Sequence, residues 1–272
     1  MTAETASPDF HLADAPAIQV GVLGQLRLLA HGGHVPVASG SKSEALLVRL
    51  AMARRRPASR AELVDWVWPE VEVGLAGQSL NSLTHHLNKI VAGTGSGMLI
   101  THQGGYYRLA DDGRLAVDID LFDGWRQVGL RALRGHDPAS GLPWCDRAIA
   151  LYRGDLCYGE RLEALNERER LRIALLDMLA AVADHHHRTD PELALSYLDR
   201  LLELDFLRED AQRLAMCCHV RLGHRSHALR QYRILSEALA AEFGAEPERD
   251  TMALCELIRH DPSALQRSLS DR

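Results

Sequence analysis

From about residue 120 to residue 260 the chain carries helical patterning with almost no relief, and this constrains its architecture more than any other feature. Seven segments can be drawn, at about 120–134, 138–153, 161–187, 191–204, 208–222, 225–243 and 248–260, each separated from the next by a short Gly, Pro or Asp break. Helices joined so tightly can bury their apolar stripes only against their neighbours in the chain, so the rear half is expected to be all-α. Within it, ALSYL beginning at Ala194 matches ALRQY beginning at Ala228, 34 residues later. That is a period of stacked two-helix repeats. Small residues at such positions let paired helices approach closely, and the stack leaves a groove suited to protein partners. An ordinary helical bundle with a coincidental match is the competing reading.

The front third follows different periodicities. From Ile18, IQVGVLGQLRLLA alternates apolar with small or polar residues, HGGH supplies turn chemistry and VPVAS resumes extended structure, which predicts a β-hairpin. Ser41 with Glu44, and Ser59 with Glu62, form capping boxes that start two helices. The first runs through Leu46 and Leu50 to the arginine run 54–56 and Pro57, the second through Leu63 and Trp68 to Pro69. A third helix, about 76–92, places Leu80, Leu83, Leu87 and Ile90 on one buried stripe. At about 100° per residue, Gln78, Asn81, Ser82, His85, Asn88 and Lys89 then point away from that stripe, with His86 at its flank. Every one of these side chains can hydrogen-bond. MLITHQGGYYRLA reads as two short strands around a Gln-Gly-Gly turn. A strand pair, three helices and a terminal hairpin is the order of a winged helix. The expected organisation is an unstructured lead 1–17, a winged helix 18–110, a connecting strand 111–119, a helical domain 120–260 and a tail 261–272.

Net charge separates these regions. The whole chain carries −6, but residues 18–110 hold nine Lys and Arg against five Asp and Glu, while 111–272 hold 22 against 29. Only the front is electrostatically suited to phosphate. Five cysteines without a CxxC pair fit reduced thiols, the start of the chain lacks the regions of a signal peptide, and no apolar run reaches membrane-spanning length; a cytoplasmic protein away from the membrane is expected. GTGSG at 93–97 follows a helix and has no Gly-Lys-Ser/Thr, so it reads as a connector. His185–His187 point in different directions, and Cys217, Cys218, His219, His224 and His227 have no recognised ligand spacing. Hence no metal and no cofactor are expected. No nucleophile–base pair or paired-carboxylate arrangement stands out, so an enzyme is not expected either.

Taken together, VGVLGQLRL, KSEALLVRLA, ELVDWVWPE, SLNSLTHHLNKI and GGYYRL in front, and VDIDLF, AIALYRGDL, ERERLRIALLDMLA, LLELDFLRED and RLGHRSHALRQYRILSEALAAEFGAEP behind, resemble the SARP-type regulators over roughly 18–258. In that family an OmpR-type winged helix precedes a bacterial transcriptional activator domain of tetratricopeptide-like helices. The resemblance implies a mainly α fold of winged helix plus helical repeats. It also implies activation of transcription through double-stranded promoter DNA, binding as a homodimer on repeats, and contact with RNA polymerase. It places helix 76–92 in the major groove, with Gln78, Asn81, Ser82, His85, His86 and Asn88 as base readers. Lys42, Lys89, His102 and Gln103 fall to phosphate and wing contacts. Family recognition helices usually carry several arginines; this one offers a single Lys89 beside neutral histidines, which lowers the expected counterion release. The alternative reading is a protein-interaction module whose winged helix has lost strong DNA binding. Phe206, where the family has proline after LeuGluLeuAsp, is expected to alter only a local turn.

Overall fold

The computed structural model describes residues 16–54, 56–70, 73–135, 137–157 and 161–261, with the side chains of 73–77 excepted. The lead and the tail read from the sequence lie outside the described residues, apart from 16, 17 and 261. The chain divides into two compact units, Met1–Gln127 with Asp146–Arg172, and Val128–Cys145 with Ile173–Arg272.

The first unit opens on β1 (Ile18–Gly21), β2 (Arg27–Ala30) and β3 (Gly33–Val35). Then come α1 (Lys42–Ala53), β4 (Ala58–Ser59), α2 (Arg60–Val67), α3 (Val73–Ala92) and the hairpin of β5 (Ile100–Gln103) and β6 (Tyr106–Leu109). Ser59 and Glu62 cap reciprocally as the sequence implies, whereas at Ser41 only half of the expected box forms: Ser41 Oγ accepts from Glu44 N at 3.2 Å, but the Glu44 carboxylate accepts from Gly40 N instead of Ser41 N. β4 pairs with β6, which pairs with β5, so a strand of two residues before α2 anchors the wing.

The region expected as a connecting strand is instead divided between the two kinds of structure. β7 (Leu115–Val117) pairs in parallel with β1 and completes a sheet of order β3-β2-β1-β7. Asp118 already belongs to α4 (Asp118–Leu133), so Asp118 and Asp120 lie in a first helical turn and not on a strand face. Alternation in VDIDLF mimics a strand, but the Asp118 carboxylate decides the geometry: its Oδ2 accepts from Val22 N at 2.8 Å and Leu23 N at 2.9 Å. The N-terminal unit therefore extends past the boundary expected at residue 110.

Arg54, first of the arginine run, does more than end α1. At φ +58° it ends the helix, and its guanidinium reaches Asp123 at 2.6 Å and Glu167 at 3.1 Å. Arg170 completes a quartet, with two bonds to Asp123 at 3.0 Å and two to Glu167 at 2.8 Å. Burial alone would raise both carboxyls, but the hydrogen bonds and charges of Arg170 and Arg54 outweigh it and hold Asp123 and Glu167 below the ordinary range. A depressed folded value means that this contribution is present above the unfolded carboxylate pKa and lost as pH falls through the folded one. The urea midpoint of the first unit is thus expected to fall below about pH 4. The fall should be blunted in a chain carrying Asp123→Asn and Glu167→Gln, and equal acid sensitivity of the two chains would contradict the assignment.

The remaining helices are α5 (Pro138–Leu151), α6 (Leu162–His186), α7 (Pro191–Leu204), α8 (Glu209–Arg221), α9 (Arg225–Phe243) and α10 (Arg249–His260), within a turn of the expected bounds. α7 and α9 begin 34 residues apart, and Ala194 and Ala228 are both fully buried, as a repeat requires. The period then slips in the second helix of each pair because α9 has 19 residues where α7 has 14. α8, α9 and α10 close on Met216, Val220, Ala228, Cys255 and Ile258. In the α7–α8 turn the Phe206 carbonyl accepts from Nε2 of Gln212, a fully buried side chain whose Oε1 accepts from Gln231 on α9. The observed class is mainly α: a winged helix followed by helical repeats. Among the described residues no helix is long and apolar enough to cross a membrane.

Candidate nucleic-acid interface

α3 positions the polar face. Leu80, Thr84, Leu87 and Val91 are the buried positions, while Leu83 and Ile90 are only half-buried, so the helix is rotated slightly from the stripe the leucines suggest. Thr84 mimics a surface residue in the sequence; in the fold its hydroxyl is buried without a partner. With the axis so set, Gln78, Ser82, His85 and Lys89 centre the outward face at about 100° per residue, flanked by His86, and all five are exposed.

Asn81 and Asn88 lie on the other flank, toward the wing. Asn88 is committed to holding it: Oδ1 accepts from Leu99 N at 3.1 Å and Ile100 N at 2.8 Å, and Nδ2 donates to Ile100 O at 2.8 Å. Its amide completes the edge of β5 as a strand would, so base readout by Asn88 is not open in this fold. Asn81 is exposed, but its Oδ1 accepts from Tyr107 Oη at 2.8 Å and from Arg60 at 3.0 Å. None of the described hydrogen bonds uses its amide nitrogen. Ser82 donates back to the Gln78 carbonyl, 3.1 Å away.

Arg60 is the residue that sequence reading missed. Its backbone N–H donates to the Gly105 carbonyl in the wing turn at 2.9 Å, and its guanidinium donates to Asn81 and, at 3.2 Å, to Tyr107. A cation is thereby fixed where α2, α3 and the wing meet. The only sequence signal was its place directly after the Ser59 cap, which fixes a helix start but not a side-chain direction.

The wing turn itself is Gly104–Gly105, with φ of +59° and +82°, values that favour glycine at both positions. Cross-strand register puts His102 opposite Tyr107, and the two rings stack at 4.3 Å. His102 therefore covers the buried Tyr107. Gln103, Tyr106 and Arg108 share the other face and are exposed; Arg108 is a second cation the sequence reading passed over. Lys42 lies elsewhere, its Nζ 5.0 Å from the centre of the Trp68 ring, and none of the described contacts joins it to α3 or the wing.

A wing bearing Arg108, a polar outward helix face and an arginine at their junction define a winged-helix module. The family model of the bacterial transcriptional activator domain matches residues 117–259, beginning where β7 ends. Among characterised relatives, the transcriptional regulatory protein MoaR1 of Mycobacterium tuberculosis is 27% identical over 250 residues, covering 88% of this chain and 78% of that protein. The regulatory protein AfsR of Streptomyces griseus is 27% identical over 264 residues, 94% of this chain but only 26% of that protein. The transcriptional regulator RedD of Streptomyces coelicolor is 28% identical over 247 residues, covering 85% and 67%. A solved structure of Mycobacterium tuberculosis EmbR, in complex with a low-affinity phosphopeptide, superposes with a TM-score of 0.65 at 21% identity, over 94% of this chain and 70% of that one, which shows the shared fold. The chain belongs to the bacterial transcriptional activator domain family and is a SARP-type transcriptional regulator.

Proposed function

We propose that this regulator binds double-stranded promoter DNA by laying α3 in the major groove, with the wing against the adjacent backbone. The observation that carries the reading is the outward face of α3, where Gln78, Ser82, His85, His86 and Lys89 stand exposed beside Asn81 and Arg60. Gln78, His85, His86 and the Asn81 amide nitrogen supply hydrogen bonds to base edges. Lys89, Arg60, Arg108 and Lys42 meet phosphate, with Gln103 at the wing tip; Asn88 and His102 position the wing. The protein acts in the cytoplasm as a homodimer on repeated half-sites, and its helical unit contacts RNA polymerase. Pairing compensates for a helix with one lysine by raising the effective concentration of the second reader.

The test is genome-wide capture with the purified chain, followed by anisotropy titration of a recovered fragment. With about four phosphate-directed cations per protomer, log K is expected to fall with log salt at a slope of about −3 to −4 for each. His85→Ala with Arg60→Ala should weaken specific binding by about 10-fold or more. A second reading, a winged helix used for protein docking, draws on Asn81, Ser82 and Asn88 spending hydrogen bonds inside the domain. Capture of partner proteins without DNA enrichment, or affinity indifferent to the double variant, would replace the first reading with the second.

A further inference from the structure

Within the second unit, the turn between α8 and α9 gathers three imidazoles. Gly223, at φ +78°, reverses the chain, and the His224 N–H donates to the His219 carbonyl at 2.8 Å, folding the start of α9 back over the last turn of α8. His224 and His227, three residues apart, then share one side of the first turn of α9. The ring centres of His219 lie 6.4 Å from His224 and 5.6 Å from His227, with 5.3 Å between the latter two, and one ring nitrogen from each lies within 4.8 Å of the others. Sequence spacing could not reveal this, because the ligand set is assembled by the turn and by one helix face together.

We propose that His219, His224 and His227 form a binding site for a divalent transition-metal cation of the Zn2+ class, with the fourth position open to water. Tetrahedral coordination at about 2.0–2.1 Å brings ligand nitrogens to roughly 3.3–3.4 Å from one another. His224 and His227 are exposed, so rotation about their side-chain bonds closes the remaining distance. His219 supplies the fixed ligand. Its Nδ1 is buried without a hydrogen-bond partner, a cost that a metal or its second-shell contacts would relieve. The site opens on a groove of about 600 Å3 lined by Asp199, Glu203, Phe206, His219, His227 and Arg230. The two carboxylates offset the one arginine, so the groove does not repel a dication.

The experiment is calorimetric titration of Zn2+ into the untagged 272-residue chain after chelator treatment, beside a chain carrying His224→Ala and His227→Ala. One ion per chain with Kd at or below about 10 μM is expected, with a raised Tm. The double variant should keep the metal-free Tm, since both side chains are exposed, and lose at least 30-fold in affinity. Co2+ substitution should give ligand-field bands without thiolate charge transfer. Three results would each overturn the proposal: no binding below 100 μM, binding unchanged in the double variant, or a thiolate band assigning the ion to cysteine.

Discussion

Gly141→Val is expected to lower the Tm of the chain by about 10 °C or more, the largest effect among the substitutions considered. A Cβ at this position would stand 2.6 Å from the Gly129 carbonyl oxygen, 2.9 Å from Ala132 Cβ and 3.0 Å from Leu133 N. Two of these three neighbours are backbone atoms of α4, which cannot rotate away. Glycine inside a helix ordinarily costs about 1 kcal/mol relative to alanine, so Gly141→Ala on an open helix face would stabilise. Here the overlap decides: forcing extra carbon into a packed contact costs about 1–3 kcal/mol, and more where backbone must move. Gly129 meets the same contact from the other side, its Cβ falling 2.5 Å from Cys145 Sγ and 2.9 Å from Cys145 N. Alanine at either position should therefore destabilise, and valine should do so more. Thermal melts of the four variants decide the matter; a Gly141→Val chain melting within 2 °C of the parent would disprove the close approach.

Asp118→Ala is expected to cost about 2–4 kcal/mol, whereas Asp118→Asn should cost much less. Alanine strands the Val22 and Leu23 N–H groups among fully buried side chains; asparagine keeps an acceptor oxygen in place. The two substitutions also separate charge from hydrogen bonding. Burial raises the Asp118 pKa despite the bonds from Val22 and Leu23 and the nearby Arg27. A raised folded value gives a contribution fully present below the unfolded pKa and lost as pH climbs through the folded one, opposite in sign to Asp123 and Glu167. In Asp118→Asn this term disappears, so its stability relative to the parent should improve steadily from acid toward neutral pH. Denaturant midpoints across pH 3 to 7 measure it, and a flat difference would show that Asp118 has no raised pKa.

Helical segments were legible because their signals are local. Helices α5, α7, α9 and α10 each begin within two residues of a Pro, Gly or Asp break, and Ser41 and Ser59 mark α1 and α2 through their own hydroxyls. What escaped was non-local. Nothing in LAV at 115–117 announces a parallel partner almost a hundred residues earlier, and a two-residue strand such as β4 has no periodicity to read. The interface divides in the same way. Exposure of Gln78, Ser82, His85 and Lys89 follows from helical period alone. That Asn88 serves β5, that His102 covers Tyr107 and that Arg60 arrives from another helix depend on how α2, α3 and the wing meet. Polar residues flanking a stripe look alike in sequence, and only packing separates those facing a strand from those facing solvent.

The parallel pairing of β1 with β7 also imposes an order on the birth of the molecule. Strand β1 leaves the ribosome long before its second neighbour, which is translated only with Leu115–Val117. At about 5–20 residues per second that leaves β1 waiting several seconds with one edge bare. A fragment ending at residue 110 would keep this edge for good, together with the two N–H groups that Asp118 serves. An open strand edge recruits other chains. Anyone isolating the winged-helix half should therefore carry it beyond Asp118, or expect aggregates where a monomeric fragment was sought.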